Sequence, residues 1–272
     1  MNIKVKDHNL IIGGGILIFL LLIMGVSFFY LPHSVTEINT KLKLSPPNFS
    51  YLLGTDNFGR DILSRLMKGS QTAFLVGIIS VGIGSSIGVF LGAISGYFGG
   101  RIDEFIMRII DAMMAFPGIL FALMFISVFG VGIENTMVAI GIMSIPTFAR
   151  ITRSGFLREK ELEYIKAARV RGASNFRIIY HHILPNVLSP IIVAATMSFS
   201  NAILAEAALS YLGLGVQAPN PSWGRMLSES QMYFMIAPWY TLAPGLMISL
   251  TVLALNMLGD FLRGYQRRQG KI

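Results

Sequence analysis

Cysteine is absent from this 272-residue sequence. That excludes disulfides, thiol catalysis and metal sites built on thiolate. Charge is scarce as well: 13% of residues are Asp, Glu, Lys or Arg, against about a quarter in an ordinary soluble domain. Much of the surface must therefore face something other than water. Histidine is rare, with four in the chain. His8 and His33 flank an apolar run, while His181 and His182 are adjacent and fall on different helix faces, so neither pair has the i, i+4 spacing of a metal site. There is no Ser-His-Asp arrangement, no His-Glu-x-x-His helix and no phosphate-binding loop. Gly13-Gly14-Gly15 lies inside an apolar run with no Lys or Thr after it. The chain is expected to perform no catalysis and to bind no metal or other cofactor.

What the sequence has in quantity is apolar residues, 53% of the chain, gathered into runs. A membrane-crossing helix takes about 20 of them. The pattern predicts an all-α membrane protein with six spans, at residues 10–30, 73–98, 105–129, 135–152, 187–208 and 238–262. The fourth is short and carries Pro146. The first follows Lys4 and Lys6, exceeds the roughly 7–15 residues of a signal-peptide core and precedes no small-residue cleavage site, so it is expected to be retained.

The net charge of +8 does not take the form of basic residues interleaved with aromatics, and no nucleic-acid partner is expected. Its distribution reads instead as orientation. An even number of spans puts both termini on one side. With that side inside, the outer segments hold only Lys41, Lys43, Arg60, Arg65, Lys68 and Arg225, and the other sixteen of the 22 Lys and Arg are internal. This is the positive-inside bias. The expected location is the inner membrane, multi-pass, with both termini cytoplasmic. Three soluble segments remain: an outer one at 33–72, an inner one at 153–186, and a Gly/Pro-rich outer loop at 210–237.

Within the second span Gly84, Gly88, Gly92 and Gly96 recur every four residues, with Ser80 one step earlier. They form a small-residue stripe on one helix face, suited to close approach of another helix or to lining a path. Ionisable residues in the spans are few. Asp111 and Asp260, near inner ends, are expected to be interfacial or salt-bridged. Glu206, near the outer end of the fifth span, is open between a structural and a path-lining role. An ion-driven carrier would be expected to place carboxylates or broken helices near mid-membrane, and the sequence places none there.

The inner segment reads as two short helices around Gly172. Leu162, Ile165 and Ala168 make a thin apolar stripe, with Arg169 and Arg171 pointing elsewhere. Gly172 suits a helix C-terminus needing positive φ, and Ser174 suits an N-cap. The second helix would set Phe176, Ile179 and Ile183 on one face, with Pro185 at the start of the fifth span, where its missing N–H matters least. Such an element can dock in a groove on a soluble partner or lie on the anionic inner leaflet. The residues alone leave both readings open.

Lys166-Ala167-Ala168, Gly172 and Leu184-Pro185 resemble the cytoplasmic EAA loop of ABC importer permeases, in which Glu-Ala-Ala is followed after three residues by Gly and, nine residues later, by Ile-x-Leu-Pro. Lys166 stands where that pattern has Glu, and His182 where it has Ile. The resemblance implies that Glu163, Ile165, Lys166, Ala167, Ala168, Arg169, Gly172, Ala173, Ser174, Leu184 and Pro185 couple the spans to ATPase subunits.

Two outer motifs narrow the group. Gly54-Thr55-Asp56-Asn57-Phe58-Gly59-Arg60-Asp61-Ile62-Leu63-Ser64-Arg65 resembles the segment before the second span in dipeptide, oligopeptide and nickel permeases, and Ser210-Tyr211-Leu212-Gly213-Leu214-Gly215, with Pro219, Pro221, Trp223 and Gly224, resembles their second outer loop. The order of motifs is that of the "C" permease of the group. Read from the residues, the first motif is a helix capped by Thr55 or Asp56, with Ile62, Leu63, Leu66 and Met67 facing the outer interface. Gly54, Thr55, Asp56, Gly59, Arg60, Asp61, Gly213, Gly215, Trp223 and Gly224 are thus either a structural elbow or contacts for a binding protein.

The resemblance implies a type I ABC importer permease bundle divided into an anchor and elbow at 1–68, a permease domain at 69–264 and a basic tail at 265–272. It also implies a second homologous permease, two ATP-binding subunits carrying ATP and Mg2+, and an extracytoplasmic substrate-binding protein, all assembled in a lipid bilayer. Peptides, nickel and metal–chelator complexes are the substrate classes, and the compact outer segment resembles nickel-type permeases slightly more. Met113, Met114, Phe116 and Glu206 are the expected path residues. A stand-alone secondary transporter or channel is the competing reading.

Overall fold

A computed structural model describes residues 3–268 of the chain. Met1, Asn2 and the last four residues of the expected tail 265–272 lie outside the described residues. The architecture is helical: α1 Ile3–Ser27, α2 Ile62–Phe98, α3 Gly100–Met114, α4 Gly118–Phe129, α5 Ile133–Glu159, α6 Glu163–Val170, α7 Asn175–Arg177, α8 Leu184–Tyr211, α9 Trp223–Ser230 and α10 Pro238–Arg268. A π-wound turn, Ile178–Ile183, joins α7 to α8. Among the described residues the only extended pairing is an isolated bridge between Thr55 and Asp61.

Among the described residues four helices are long and apolar enough to cross a membrane: His8–Ser27, Ile62–Phe98, Asn175–Tyr211 and Pro238–Gln266. A bent pair, α3 with α4, makes a fifth if counted as one span. The expected span at 105–129 is therefore not straight; its halves meet at 89°. Pro117 causes the break. It has no N–H to give to a preceding turn, and it disfavours the helical conformation for Phe116. Arg101, Glu104, Arg108 and Asp111 give α3 a charged face opposite Ile106, Ile110 and Met113, the pattern of a helix lying along an interface.

The fourth expected span lies within α5, which is 27 residues long but falls short of the membrane-crossing composition. Its polar groups are matched by its burial against α2. Ser80 Oγ donates to the Met137 carbonyl at 2.9 Å. A Cβ on Gly84 would sit 2.6 Å from Ser144 Cβ, one on Gly88 2.6 Å from the Ile145 carbonyl oxygen, and one on Gly96 2.7 Å from Phe156 Cβ. The glycine ladder is the seam between these two backbones, as small-residue stripes in membranes are.

At the inner end of the seam, Arg153 donates two hydrogen bonds to Asp103 at 2.5 and 2.6 Å, and Lys160 Nζ reaches the Gly96 carbonyl at 2.9 Å. Asp111 pairs with Arg150 at 2.5 Å and Asp260 with Arg263 at 3.5 Å. Both are exposed pairs of the kind expected at helix ends. Gly13 serves a packing role: a Cβ there would lie 2.9 Å from Met257 Cβ, where α1 crosses α10.

The outer segment corrects one expectation. α2 begins at Ile62 and runs 37 residues without a break, so the amphipathic segment and the second span are a single helix that passes through residues 68 and 69. Its N-cap is Asp61, whose carboxylate accepts from the Ser64 N–H at 2.9 Å, rather than Thr55 or Asp56. Ile62, Leu66 and Met67 are buried in a protein core, not laid on an interface.

Candidate functional site

Three places combine chemistry with position: the helical hairpin of α6 and α7, an ionic joint at the N-terminal end of α2, and two clefts along α5.

In the hairpin, α6 ends in a Schellman motif. Gly172 sits at φ +81°, its N–H bonds the Arg169 carbonyl, and the Ala173 N–H bonds the Ala168 carbonyl. This is the positive-φ glycine cap expected from sequence. Ser174 caps α7, accepting from the Arg177 N–H at 3.4 Å. The apolar register differs from expectation. Ile178 and Ile183 are fully buried, while Phe176 is 71% exposed. A π-turn takes more residues per turn than an α-helix, so positions five apart, not three and four, share a face. Ile165 is likewise fully buried, packed in one cluster with Ile178, Ile183, Val187, Phe148 and Phe156. That cluster ties the hairpin to α5 and α8.

Sequence reasoning missed a polar clasp beside it. Tyr164 Oη donates to Glu159 at 2.8 Å and accepts from Asn186 Nδ2 at 2.9 Å. Burial, helped by the Glu159 carboxylate, holds the Tyr164 phenol above its ordinary pKa and keeps it a donor. The hairpin leaves Val170, 88% exposed, and the stacked rings of Phe176 and Tyr180, 5.5 Å between centroids, facing outward. Lys166, Ala167, Arg169 and Arg171 are exposed around them.

At the N-terminal end of α2 the two motifs expected on the outer side meet. Asp56 Oδ1 accepts from the N–H groups of Phe58 and Arg60 at 2.8 and 2.9 Å, and its Oδ2 pairs with Arg60 Nε at 2.6 Å and Arg65 Nε at 3.5 Å. Glu229 of α9 receives Arg60, Arg65 and Arg225 at 3.0, 3.1 and 2.9 Å, and Tyr240 Oη donates to it at 3.3 Å. Burial alone would raise the Glu229 carboxyl. Arg65, Arg225 and Arg60 outweigh it and leave the group below its ordinary pKa.

Trp223 Nε1 donates to the Leu66 carbonyl at 3.0 Å, and Gly224 lies directly against the Ala207 backbone. Gly54 is fitted against the Ser45 carbonyl and Trp239, and Gly59 against Asn39. Thr55, Asp56, Arg60, Asp61, Gly215, Trp223 and Gly224 are thus interior, and of the expected outer contact residues only Gly213 is well exposed. Arg65 stands in the outer motif without an expected ion-pair role, and Glu229, Arg225 and Tyr240 were missed. One readable signal existed: Ile62, Arg65, Leu66 and Gly69 share a helix face, and a charge on an apolar face calls for a buried partner.

The third place follows the bend. Met113, Met114 and Phe116 come together with Met143 and Pro146 of α5 around a cleft of ≈ 190 Å3. Glu206 is not among them. It is buried near the outer loop, accepting from Ser210 Oγ at 2.6 Å, while that hydroxyl also accepts from the Val216 N–H. A second cleft, ≈ 450 Å3, lies between α5, α8 and α10. Thr147 lines both clefts, so they adjoin at α5.

With that geometry in place, the comparison with known sequences is decisive. The profile of the binding-protein-dependent transport system inner membrane component family matches residues 88–269. The chain belongs to that family. A dipeptide transport system permease protein, DppC, of Alkalihalophilus pseudofirmus is 47% identical, over 85% of this chain and 76% of its own. A di/tripeptide transport permease of Pseudomonas aeruginosa is 41% identical over 94% and 87%. A glutathione transport permease, GsiD, of Pectobacterium atrosepticum is 41% identical over 95% and 86%.

Among solved structures, the inward-facing MetNI methionine ABC transporter matches with a TM-score of 0.61 over 74% of this permease and 95% of that chain, at 19% identity. That likeness shows the ABC importer permease fold. This permease is accordingly a multi-pass membrane subunit of a binding-protein-dependent ABC importer.

Proposed function

We propose that this permease forms half of the path for short peptides through a heteromeric importer. A second homologous permease supplies the other half. Two ATPase subunits dock on the inner hairpin, and a binding protein delivers substrate outside. ATP and Mg2+ belong to those ATPases; the permease itself performs no chemistry and holds no cofactor. Both termini are cytoplasmic in this reading, α5 completes the six spans as the fourth in chain order and residues 69–264 form the permease domain. The Lys/Arg asymmetry supports the orientation. At 27 residues, α5 is about 40 Å long, enough to cross a bilayer core of roughly 30 Å.

The observation that carries the proposal is the hairpin. Its outer surface presents Val170, Phe176 and Tyr180 amid basic residues, while Ile165, Ile178, Ile183 and the Tyr164 clasp fix its inner surface to α5 and α8. A partner that moves the hairpin must move those spans. Docking therefore biases one two-state element that the outer binding event also biases. Glu163, Lys166, Ala167, Ala168, Arg169, Gly172, Ala173, Ser174, Leu184 and Pro185 take their coupling role from this placement.

At the outer side, the buried residues of the ionic joint support the elbow reading. The exposed Met232, Met235 and Ile236 beside it are better placed to meet a binding protein. Peptide is preferred to nickel because the relatives at 41–47% identity are named for dipeptide, di/tripeptide and glutathione transport.

The test is ATP hydrolysis by the assembled importer in nanodiscs, with binding protein added with and without dipeptide. Dipeptide-dependent stimulation is expected, and its absence with every peptide tried would overturn the peptide reading. Gly172→Val adds a second check. No atom lies within 4 Å of a Cβ at this position, so the change acts through backbone conformation alone. The left-handed conformation costs a non-glycine residue roughly 1–2 kcal/mol, so stimulation should fall about tenfold while the complex stays assembled. Stimulation equal to the parent's would detach Gly172 from coupling.

A further inference from the structure

We infer that the inner cleft between α5, α8 and α10 is a transient subsite for the charged and polar ends of a short peptide, with Arg263 taking the C-terminal carboxylate and Gln266 Oε1 taking an N–H donor. The inference rests on the peptide reading above and names the chemistry by which the path holds its cargo.

Gln266 is 7% exposed. Its Nε2 donates to the Ser189 carbonyl at 2.6 Å, which directs the amide oxygen away from that partner. The oxygen is buried and has no hydrogen-bond partner. An acceptor left in this condition costs about 1–3 kcal/mol, so a donor arriving in the cleft gains what the empty cleft forgoes. Arg263 stands three residues away on the same helix and lines the same cleft. Its contacts are Asp260 Oδ1 at 3.5 Å and Met197 Sδ at 2.7 Å, a long ion pair and a weak acceptor. A guanidinium has five N–H donors in a fork that fits a carboxylate.

The dimensions agree. Helix residues three apart are roughly 5–6 Å apart at Cβ, and an extended dipeptide spans at most about 7 Å. The remaining wall is mostly apolar, with Ile151, Val193, Ala194 and Met197 beside the polar Thr147, Ser198 and Asn201. Its apolar part is adaptable at the methionine, so it tolerates varied side chains while the ends are recognised. The ≈ 450 Å3 volume lies within the range of small-ligand sites. A phospholipid headgroup bearing an amine or hydroxyl would answer both groups, so peptide is the occupant argued for because the relatives at 41–47% identity are named for peptide transport, and lipid is an outcome of the test.

The test uses the assembled importer in nanodiscs without binding protein, so that only the membrane subunits can discriminate. Equilibrium binding of the dipeptide Ala-Phe is compared with that of its C-terminal amide. The parent should bind the acid about tenfold tighter, the scale of one charge-assisted hydrogen bond. Arg263→Gln should bring the two to equality, and Gln266→Leu should weaken both without changing their ratio. Both changes leave the buried core clusters intact.

An unchanged acid-to-amide ratio in Arg263→Gln, or no binding to the parent, overturns the subsite. So does loss from Arg263→Gln of only a co-purifying anionic lipid, seen by native mass spectrometry. Uptake of Ala-Phe through the same assembly with its binding protein separates the two claims. Normal uptake with an unchanged ratio sinks the subsite alone, whereas no uptake of any dipeptide sinks the peptide reading beneath it.

Discussion

Replacing Gly92 by leucine is expected to leave no monodisperse folded permease. A Cβ at this position would fall on the Ala149 carbonyl oxygen, 2.8 Å from Thr152 Cβ and 3.0 Å from the Arg153 nitrogen. Two of those three atoms are backbone, so no side-chain rotation relieves the clash. Overpacking a tight site costs about 1–3 kcal/mol even for an added methyl or two, and a leucine here must push α2 and α5 apart along their length. In a bilayer no hydrophobic effect draws the helices back together, because lipid is as apolar as the side chains. Size-exclusion profiles after graded heating in mild detergent would measure the loss. Gly82 of the same helix has no neighbour within 4 Å of its Cβ position, so Gly82→Ala should match the parent. Equal behaviour of Gly92→Leu and Gly82→Ala would mean that the seam is not where these two helices meet.

Arg65→Leu should be nearly as damaging. Arg65 is 1% exposed and pairs with both Asp56 and Glu229. Removing it leaves two carboxylates facing a buried space with one cation fewer. Breaking a buried ion pair by deleting one partner costs about 3–5 kcal/mol, and here the loss releases the 54–65 segment from α9 and α10. Limited proteolysis within 33–61 is the sensitive readout: the parent should resist and the variant should be cut.

The same joint sets an acid limit. Glu229 lies below its ordinary carboxylate pKa, so its ionised form stabilises the fold fully above the unfolded value. That contribution disappears as pH falls through the depressed folded value. Acid should therefore open the joint and expose the segment to cleavage. Glu229→Gln should remove that part of the pH dependence and be weaker at neutral pH. A variant that kept the parent's acid profile would assign the titration to another group.

The helices, the glycine seam, the Gly172 cap and the membrane class were legible because each follows from local composition or one periodicity. Three features were not. The break at Pro117 was concealed by hydropathy, which averages across a bend. The burial of Ile178 in place of Phe176 came from a π-turn, whose five-residue spacing no α-helical template anticipates. The ionic joint unites residues from 56 to 240, and only packing brings Glu229 to Arg65. Arg65 on an apolar face was the single local hint. Glu206 shows how packing favours one of two readings the sequence left open. A lone acid near a Gly-rich loop suggested the path, but its hydroxyl partner Ser210 places it in the packing beneath that loop.

The most direct test of the account uses the absence of native cysteine. Single cysteines at Val170 on the inner hairpin and at Phe49 on the outer segment, both strongly exposed, would be probed with a membrane-impermeant maleimide. The account predicts that Val170→Cys reacts only in inside-out vesicles and becomes protected when the ATPase subunits are present, while Phe49→Cys reacts only from the opposite side with or without them. Labelling of Val170→Cys from the outside, or at an undiminished rate in the ATPase-loaded complex, would contradict it.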